Sequence, residues 1–140
     1  MRKDRPTNNG SESTVPLRLL LVEDHADTAN LLSRILVAAG YTVVIARTAA
    51  TALELAAVQQ FDLILSDVGL PDESGYELMR RIQAIRPLKG IAMSGYGTDE
   101  DIHMSQQAGF IEHITKPVDV EQLQQAIKRV VEVNRSTSND

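Results

Sequence analysis

Five side chains in this sequence suit joint chemistry: the carboxylates of Glu23, Asp24 and Asp67, the Ser94 hydroxyl and the Lys116 ammonium. Taken singly, each is ordinary. An acidic pair after an apolar run serves as a helix cap or a solvated turn, and Asp67 before Val68-Gly69-Leu70-Pro71 suits a turn. Ser94 opens the loop-like Ser94-Gly95-Tyr96-Gly97, and a lysine is by default a surface residue. Held in one pocket, the same groups complement one another. Three carboxylates repel, so without a cation at least one should resist ionisation. An ionised aspartate is a nucleophile, and an ammonium and a hydroxyl beside it stabilise negative charge on whatever it attacks.

Whether they meet depends on the elements that carry them. Short apolar runs at Leu17–Val22, Tyr41–Ala46, Leu63–Leu65, Ile91–Met93 and Phe110–Ile114 alternate with stretches of helical period, as buried strands and their crossover helices would. Ala29, Leu32, Leu36 and Ala39 share one helix face that Gly40 ends; Leu78, Ile82 and Ile85 share another, ended at Arg86-Pro87. Leu123, Ile127, Val130 and Asn134 mark the last helix, with Val131 widening its stripe. Ser74 with Glu77, Asp119 with Gln122 and, more loosely, Thr98 with Asp101 are start signals. Strand-helix alternation repeated five times predicts a parallel sheet with right-handed crossovers and helices on both faces. Ligands of such sheets sit beyond the carboxyl ends of the strands, and the five chemical residues follow four of the runs. Arg47 and Thr48, after the second run, look like ordinary loop residues. The helix over 98–108 has Ile102 as its only large aliphatic residue, which marks it as weakly docked and a candidate mobile element.

Composition narrows the function classes. At 140 residues the chain suits one domain, and a net charge of −5 argues against a dedicated nucleic-acid binder. The absence of cysteine excludes a disulfide framework, a thiol nucleophile and a Cys-based zinc site, and suits the cytoplasm. No apolar run approaches the roughly 18 residues that span a bilayer, so no membrane contact is expected. Residues 1–16 read as a polar arm or linker, 17–134 as the ordered domain and 135–140 as a frayed tail.

Leu20-Leu21-Val22-Glu23-Asp24, Asp67-Val68-Gly69-Leu70-Pro71 with Gly75, Ala92-Met93-Ser94-Gly95-Tyr96, Ala108-Gly109-Phe110 and Lys116-Pro117, in this order, resemble the receiver domain of two-component response regulators and hybrid histidine kinases. The Asp67 loop and the 92–97 stretch most resemble hybrid-kinase receivers. The resemblance implies a flavodoxin-like (βα)5 fold with strand order 2-1-3-4-5. It implies that Asp67 accepts a phosphoryl group from the phosphohistidine of a histidine kinase or histidine phosphotransfer domain. It also implies a magnesium or manganese ion held by Asp24, Asp67, the backbone carbonyl of Gly69 and, through water, Glu23. Lys116 would pair with a phosphoryl oxygen, Ser94 would be the switch hydroxyl, and the Lys116-Pro117 bond would be cis. Magnesium suits such a set because it binds a few carboxylates plus waters and leaves room for phosphoryl oxygens. Phosphoryl transfer itself asks mainly for an in-line nucleophile and positive charge around the moving group.

The sequence departs from the family at His113, where an aromatic switch residue is usual; a histidine can fill that switch slot but is more polar, and the alternative is a solvent-facing strand residue. Gly69 and Tyr96 flank the acceptor where side chains tune water access, which points to a long-lived phosphoryl group. His25 and His103 lack paired ligands at metal-binding spacing and read as surface residues. Two other functions compete. A haloacid-dehalogenase-like phosphatase also uses a strand-end aspartate and magnesium, but needs a second acid where this chain has Gly69. A pseudo-receiver would bind partners without phosphorylation, against the presence of every acid, hydroxyl and lysine position. The chain has no room for a DNA-binding output domain and no histidine-kinase core, so it reads either as a stand-alone receiver or as one tethered to a larger hybrid kinase. As a receiver it would catalyse only its own phosphorylation and dephosphorylation.

Overall fold

Strand and helix alternate five times, as the apolar runs predict. A computed structural model describes the backbone of residues 15–139 and the side chains of 15–132. The expected arm therefore lies outside the described residues over 1–14, as does Asp140 in the tail. The elements are β1 Arg18–Val22, α1 Ala26–Ala38, β2 Thr42–Ala46, α2 Ala49–Val58, β3 Leu63–Asp67, α3 Gly75–Ile85, β4 Gly90–Ser94, α4 Asp99–Ala108, β5 Glu112–Thr115 and α5 Val120–Asn139. All strand pairs are parallel, in the order β2-β1-β3-β4-β5. This is the flavodoxin-like order 2-1-3-4-5.

The period of two along each strand sorts the core into two layers. Leu20, Val22, Ile64 and Ala92 face a layer with Ala52 and Ala56 of α2, Leu78, Met79 and Ile82 of α3 and Ala108 of α4. Leu19, Leu21, Leu65, Ile91 and Met93 face the opposite layer with Leu32 and Leu36 of α1 and Leu123, Ile127 and Val130 of α5. β1, β3 and β4 are covered on both faces, which explains their unbroken apolar runs.

The boundaries differ from the expected ones for physical reasons. Asp67 and Ser94 are the last residues of their strands rather than the first residues after them, because Asp67 pairs with Met93 and Ser94 with Thr115. Phe110 precedes β5. Gly109, at φ 115° in the left-handed region, ends α4 and turns Phe110 into the core. α2 carries no large aliphatic stripe; it buries Ala49, Ala52 and Ala56, whose small side chains let it lie close to the sheet. α4 buries only Ser105 and Ala108 and leaves Ile102 and Met104 exposed, in keeping with weak docking. α5 continues through Asn139, past the end expected at Asn134, because no glycine or proline follows Val131 to stop it.

Local start signals operate as read. The Ser74, Thr98 and Asp119 side chains accept from the backbone N–H of Glu77, Asp101 and Gln122 at 3.1, 3.2 and 3.1 Å. Thr48 corrects the loop expectation: its hydroxyl accepts from Thr51 N–H at 3.1 Å and caps α2. A second cap comes from a distant segment, since Asp72 accepts from Ala49 and Ala50 N–H at 2.9 Å each.

Candidate functional site

The site lies where β1, β3, β4 and β5 end. Glu23 directly follows β1, and its N–H donates to the Ala46 carbonyl at 3.0 Å, which fixes it against β2. Its side chain is 0% exposed. Asp67, closing β3, is buried beside it. The Lys116 backbone N–H donates to the Ser94 carbonyl at 2.6 Å, which holds the end of β5 against β4. From there Lys116 Nζ lies 3.0 Å from Glu23 Oε1 and 3.1 Å from Asp67 Oδ2. One ammonium bridges two carboxylates. The Lys116-Pro117 bond is cis.

Backbone packing sets the position of Asp67. Val68 N–H donates to Met93 O at 2.9 Å, Gly75 N–H to Val68 O at 2.7 Å and Gly69 N–H to Asp67 Oδ1 at 3.2 Å. A Cβ at Gly75 would stand 2.3 Å from the Asp67 carbonyl oxygen and 2.9 Å from Val68 Cα. Only glycine lets the start of α3 come this close to the strand that ends at Asp67.

The electrostatics follow from burial and neighbours. Burial pushes the Asp67 carboxyl up and the Glu23 charge adds to it, while Lys116 and the Gly69 N–H pull the other way; the net is upward. Burial also opposes ionisation of Glu23, but hydrogen bonds from Lys116 and His25 outweigh it and hold that carboxyl below its usual value. Lys116 is penalised by burial, yet Glu23 and Asp67 together raise it above an ordinary lysine. The expectation that one carboxylate resists ionisation thus falls on Asp67.

Asp24 stands at the rim. Its Oδ1 is buried and accepts no hydrogen bond among the described residues, its contact with His25 Nδ1 at 3.4 Å being too poorly aligned to count as one. Glu23, Asp24, His25 and Asp67 each offer a ligand atom within 4.8 Å of the others. Such an acidic set with an orphaned oxygen fits a hard divalent cation. Gly69 is exposed next to this cluster.

Two residues sit differently from the sequence expectation. His25 has a 71% exposed ring, yet its Nδ1 lies 3.0 Å from Glu23 Oε2 and 3.4 Å from Asp24 Oδ1, so it belongs to the cluster's edge. Arg47, expected to be a plain loop residue, donates from Nε and Nη2 to the Asp24 carbonyl at 3.0 and 2.6 Å. No spacing signal reveals either contact: that of Arg47 needs two loops packed side by side, and that of His25 depends on how one loop turns its ring. Of the two positions open to His113, the inward one is found: the ring is half-buried, with Nε2 3.0 Å from both Ser94 Oγ and the Tyr96 carbonyl and Nδ1 2.7 Å from Ser105 Oγ. The Ser94 hydroxyl donates to the Tyr96 carbonyl and accepts from the Tyr96 N–H at 3.2 Å, so in this structure it is engaged with its own loop. Tyr96, expected to tune water access, stands in solvent at 73% exposure, and His103 is exposed as expected.

A sequence model of the family described as response regulator receiver domain matches residues 19–128. Transcriptional regulatory protein GlrR of Escherichia coli is 32% identical over 126 residues, covering 89% of this chain. The matched region spans only 28% of that relative's length. The crystal structure of a response regulator receiver domain protein from Methanospirillum hungatei is 34% identical with a TM-score of 0.81, over 87% of this chain and 99% of that one. The receiver domain of a sensor histidine kinase from Pseudomonas aeruginosa, with a magnesium ion coordinated in its active-site cleft, is 29% identical with a TM-score of 0.77, over 84% and 99%.

Proposed function

The chain belongs to the response regulator receiver domain family, and from that premise we propose that Asp67 accepts a phosphoryl group from a phosphohistidine and that its phosphorylation switches a protein-interaction surface. The observation that carries this is the Lys116 ammonium, 3.1 Å from the buried Asp67 carboxylate at the open end of the sheet. In the transfer an Asp67 oxygen attacks phosphorus in line, the new P–O bond forms as the P–N bond to the donor imidazole breaks, and the freed imidazole nitrogen recovers its electron pair. Lys116 is placed to follow charge from the carboxylate onto a phosphoryl oxygen. Ser94 supplies a hydroxyl donor once it leaves the Tyr96 carbonyl.

Asp24 and Asp67, the Gly69 carbonyl and, through water, Glu23 would hold magnesium or manganese. The orphaned Asp24 oxygen supports this assignment. When bound, the ion supplies positive charge that neutralises the carboxylates and the incoming phosphoryl oxygens.

The donor is a histidine kinase or a histidine phosphotransfer domain, and the reaction belongs in the cytoplasm. No described helix is long and apolar enough to cross a membrane, and no direct nucleic-acid contact is proposed for the acidic chain. Similarity to a transcriptional regulator and to a sensor-kinase receiver alike leaves both contexts in view, including a tether to a hybrid kinase. α4, β5 and α5 form the proposed switching face, with α4 the least anchored of its elements. A long phosphoryl lifetime now rests on Gly69, which offers no side chain to orient water.

A phosphorylation-independent pseudo-receiver is the competing function; the phosphatase alternative lacks its second acid at Gly69 and falls outside the family. Phosphotransfer from a labelled histidine kinase decides between the first two. Label should pass to the wild-type chain with a divalent metal and fail to pass to Asp67→Asn. Equal labelling of both would refute Asp67 as the acceptor, and a failure of every phosphodonor to label the wild type would favour the pseudo-receiver.

A further inference from the structure

The loop that carries Glu23 and Asp24 is pinned at successive backbone points. Glu23 N–H donates to the Ala46 carbonyl at 3.0 Å, Arg47 donates to the Asp24 carbonyl at 3.0 and 2.6 Å, and the His25 carbonyl accepts from Ala29 N–H at 2.9 Å. His25 N–H also donates to Glu23 Oε2 at 3.2 Å. The His25 ring therefore leaves a fixed backbone. It stands at the residue that opens α1, yet it caps no N–H of that helix. Instead its Nδ1 lies 3.0 Å from Glu23 Oε2 and 3.4 Å from Asp24 Oδ1. A hydrogen bond explains the first distance. It does not explain the second, because Asp24 Oδ1 accepts none among the described residues. Neighbouring ligand atoms of one first-row metal, at bonds of about 2.0–2.2 Å, stand about 2.9–3.5 Å apart. Both distances fall in that interval, and Asp67 completes a set whose ligand atoms lie within 4.8 Å of one another.

We propose that His25 Nδ1 is a ligand of the metal held by Asp24 and Asp67, so that the site prefers a divalent transition ion to magnesium. This rests on the metal site proposed above and concerns which ion fills it. Magnesium takes oxygen ligands and gains little from an imidazole. Affinity of a mixed nitrogen and oxygen site instead rises from manganese through cobalt to nickel. The ring binds through the Nδ1 lone pair, with its proton on Nε2. Glu23 gives up its contact with Nδ1 but keeps the His25 N–H and the Lys116 ammonium.

Calorimetric titration of the metal-free full chain with magnesium alone and with nickel alone tests this. The ratio of nickel to magnesium affinity should fall by about tenfold or more in His25→Asn. Asparagine is a favoured residue at a helix start, so α1 stays in place. His103→Asn, which alters an exposed histidine away from the site, should leave the ratio unchanged. Pulsed EPR of the manganese-loaded chain should show coupling to an imidazole nitrogen that His25→Asn abolishes. An unmoved ratio in His25→Asn, or a nitrogen coupling that survives it, would overturn the role given to His25 alone. So would nickel binding that depends on His103. Magnesium bound equally well by wild type and Asp24→Asn would sink the proposed metal site itself, and the ligand role of His25 with it.

Discussion

As the proposed nucleophile Asp67 carries opposite demands: it would have to be ionised to attack, yet burial and the Glu23 charge resist its ionisation. A carboxyl whose folded value is raised contributes stability below its unfolded value, and that contribution is lost as pH rises through the folded value. At neutral pH, with chelator present, the ionised Asp67 therefore weighs against folding. Asp67→Asn should raise the thermal midpoint at pH 7, and the gain should shrink as pH falls into the range where the wild-type carboxyl protonates. A lower midpoint for Asp67→Asn at neutral pH would show that Lys116 outweighs burial. Glu23 has the reverse character: Lys116 and His25 stabilise its charge, so Glu23 and Asp67 divide the roles of fixed anion and reactive carboxylate.

The elements place these residues through close approaches that the sequence shows only in part. Gly75 permits α3 to start against the Asp67 carbonyl, so Gly75→Ala should push the helix from the Asp67 loop and cost about 1–3 kcal/mol in urea unfolding, as overpacked sites do. A cost near zero would mean that the loop relaxes freely. Asp72 caps α2 across the molecule through Ala49 and Ala50 N–H, which hold its carboxyl below the usual range. A lowered carboxyl stabilises above its unfolded value, about 3.9, and loses that contribution as pH falls through the folded value. Asp72→Asn should therefore unfold at a lower temperature than wild type at pH 7, the difference closing in strong acid; a difference constant with pH would contradict the ionic cap. The pattern Ser74-x-x-Glu77 was legible as a helix start because its partners are three residues apart. The Asp72 cap was not, because its partners are 23 and 22 residues away.

For the whole molecule, the parallel sheet, its two layers and the meeting of Glu23, Asp67 and Lys116 were legible because period and strand-end position determine them, whereas the strand order was implied only by the family resemblance. α2 was visible only as a gap in the alternation, since alanines at 49, 52 and 56 make no strong stripe. Arg47 on the Asp24 carbonyl and His25 on Glu23 escaped sequence reasoning, and the two positions open to His113 stayed undecided, because each depends on which way a side chain leaves its loop or strand. The same limit applies to Ser94, whose place beside the acceptor was foreseen but whose hydroxyl is spent on Tyr96 and His113. The central claim is that Asp67 becomes an acyl phosphate, and chemistry can mark that residue directly. Phosphorylated protein should be reduced with labelled borohydride, which converts an aspartyl phosphate to homoserine, and then sequenced by mass spectrometry. Homoserine at position 67 alone is the predicted result; homoserine at position 24, or no reduced residue in fully phosphorylated protein, would contradict the account.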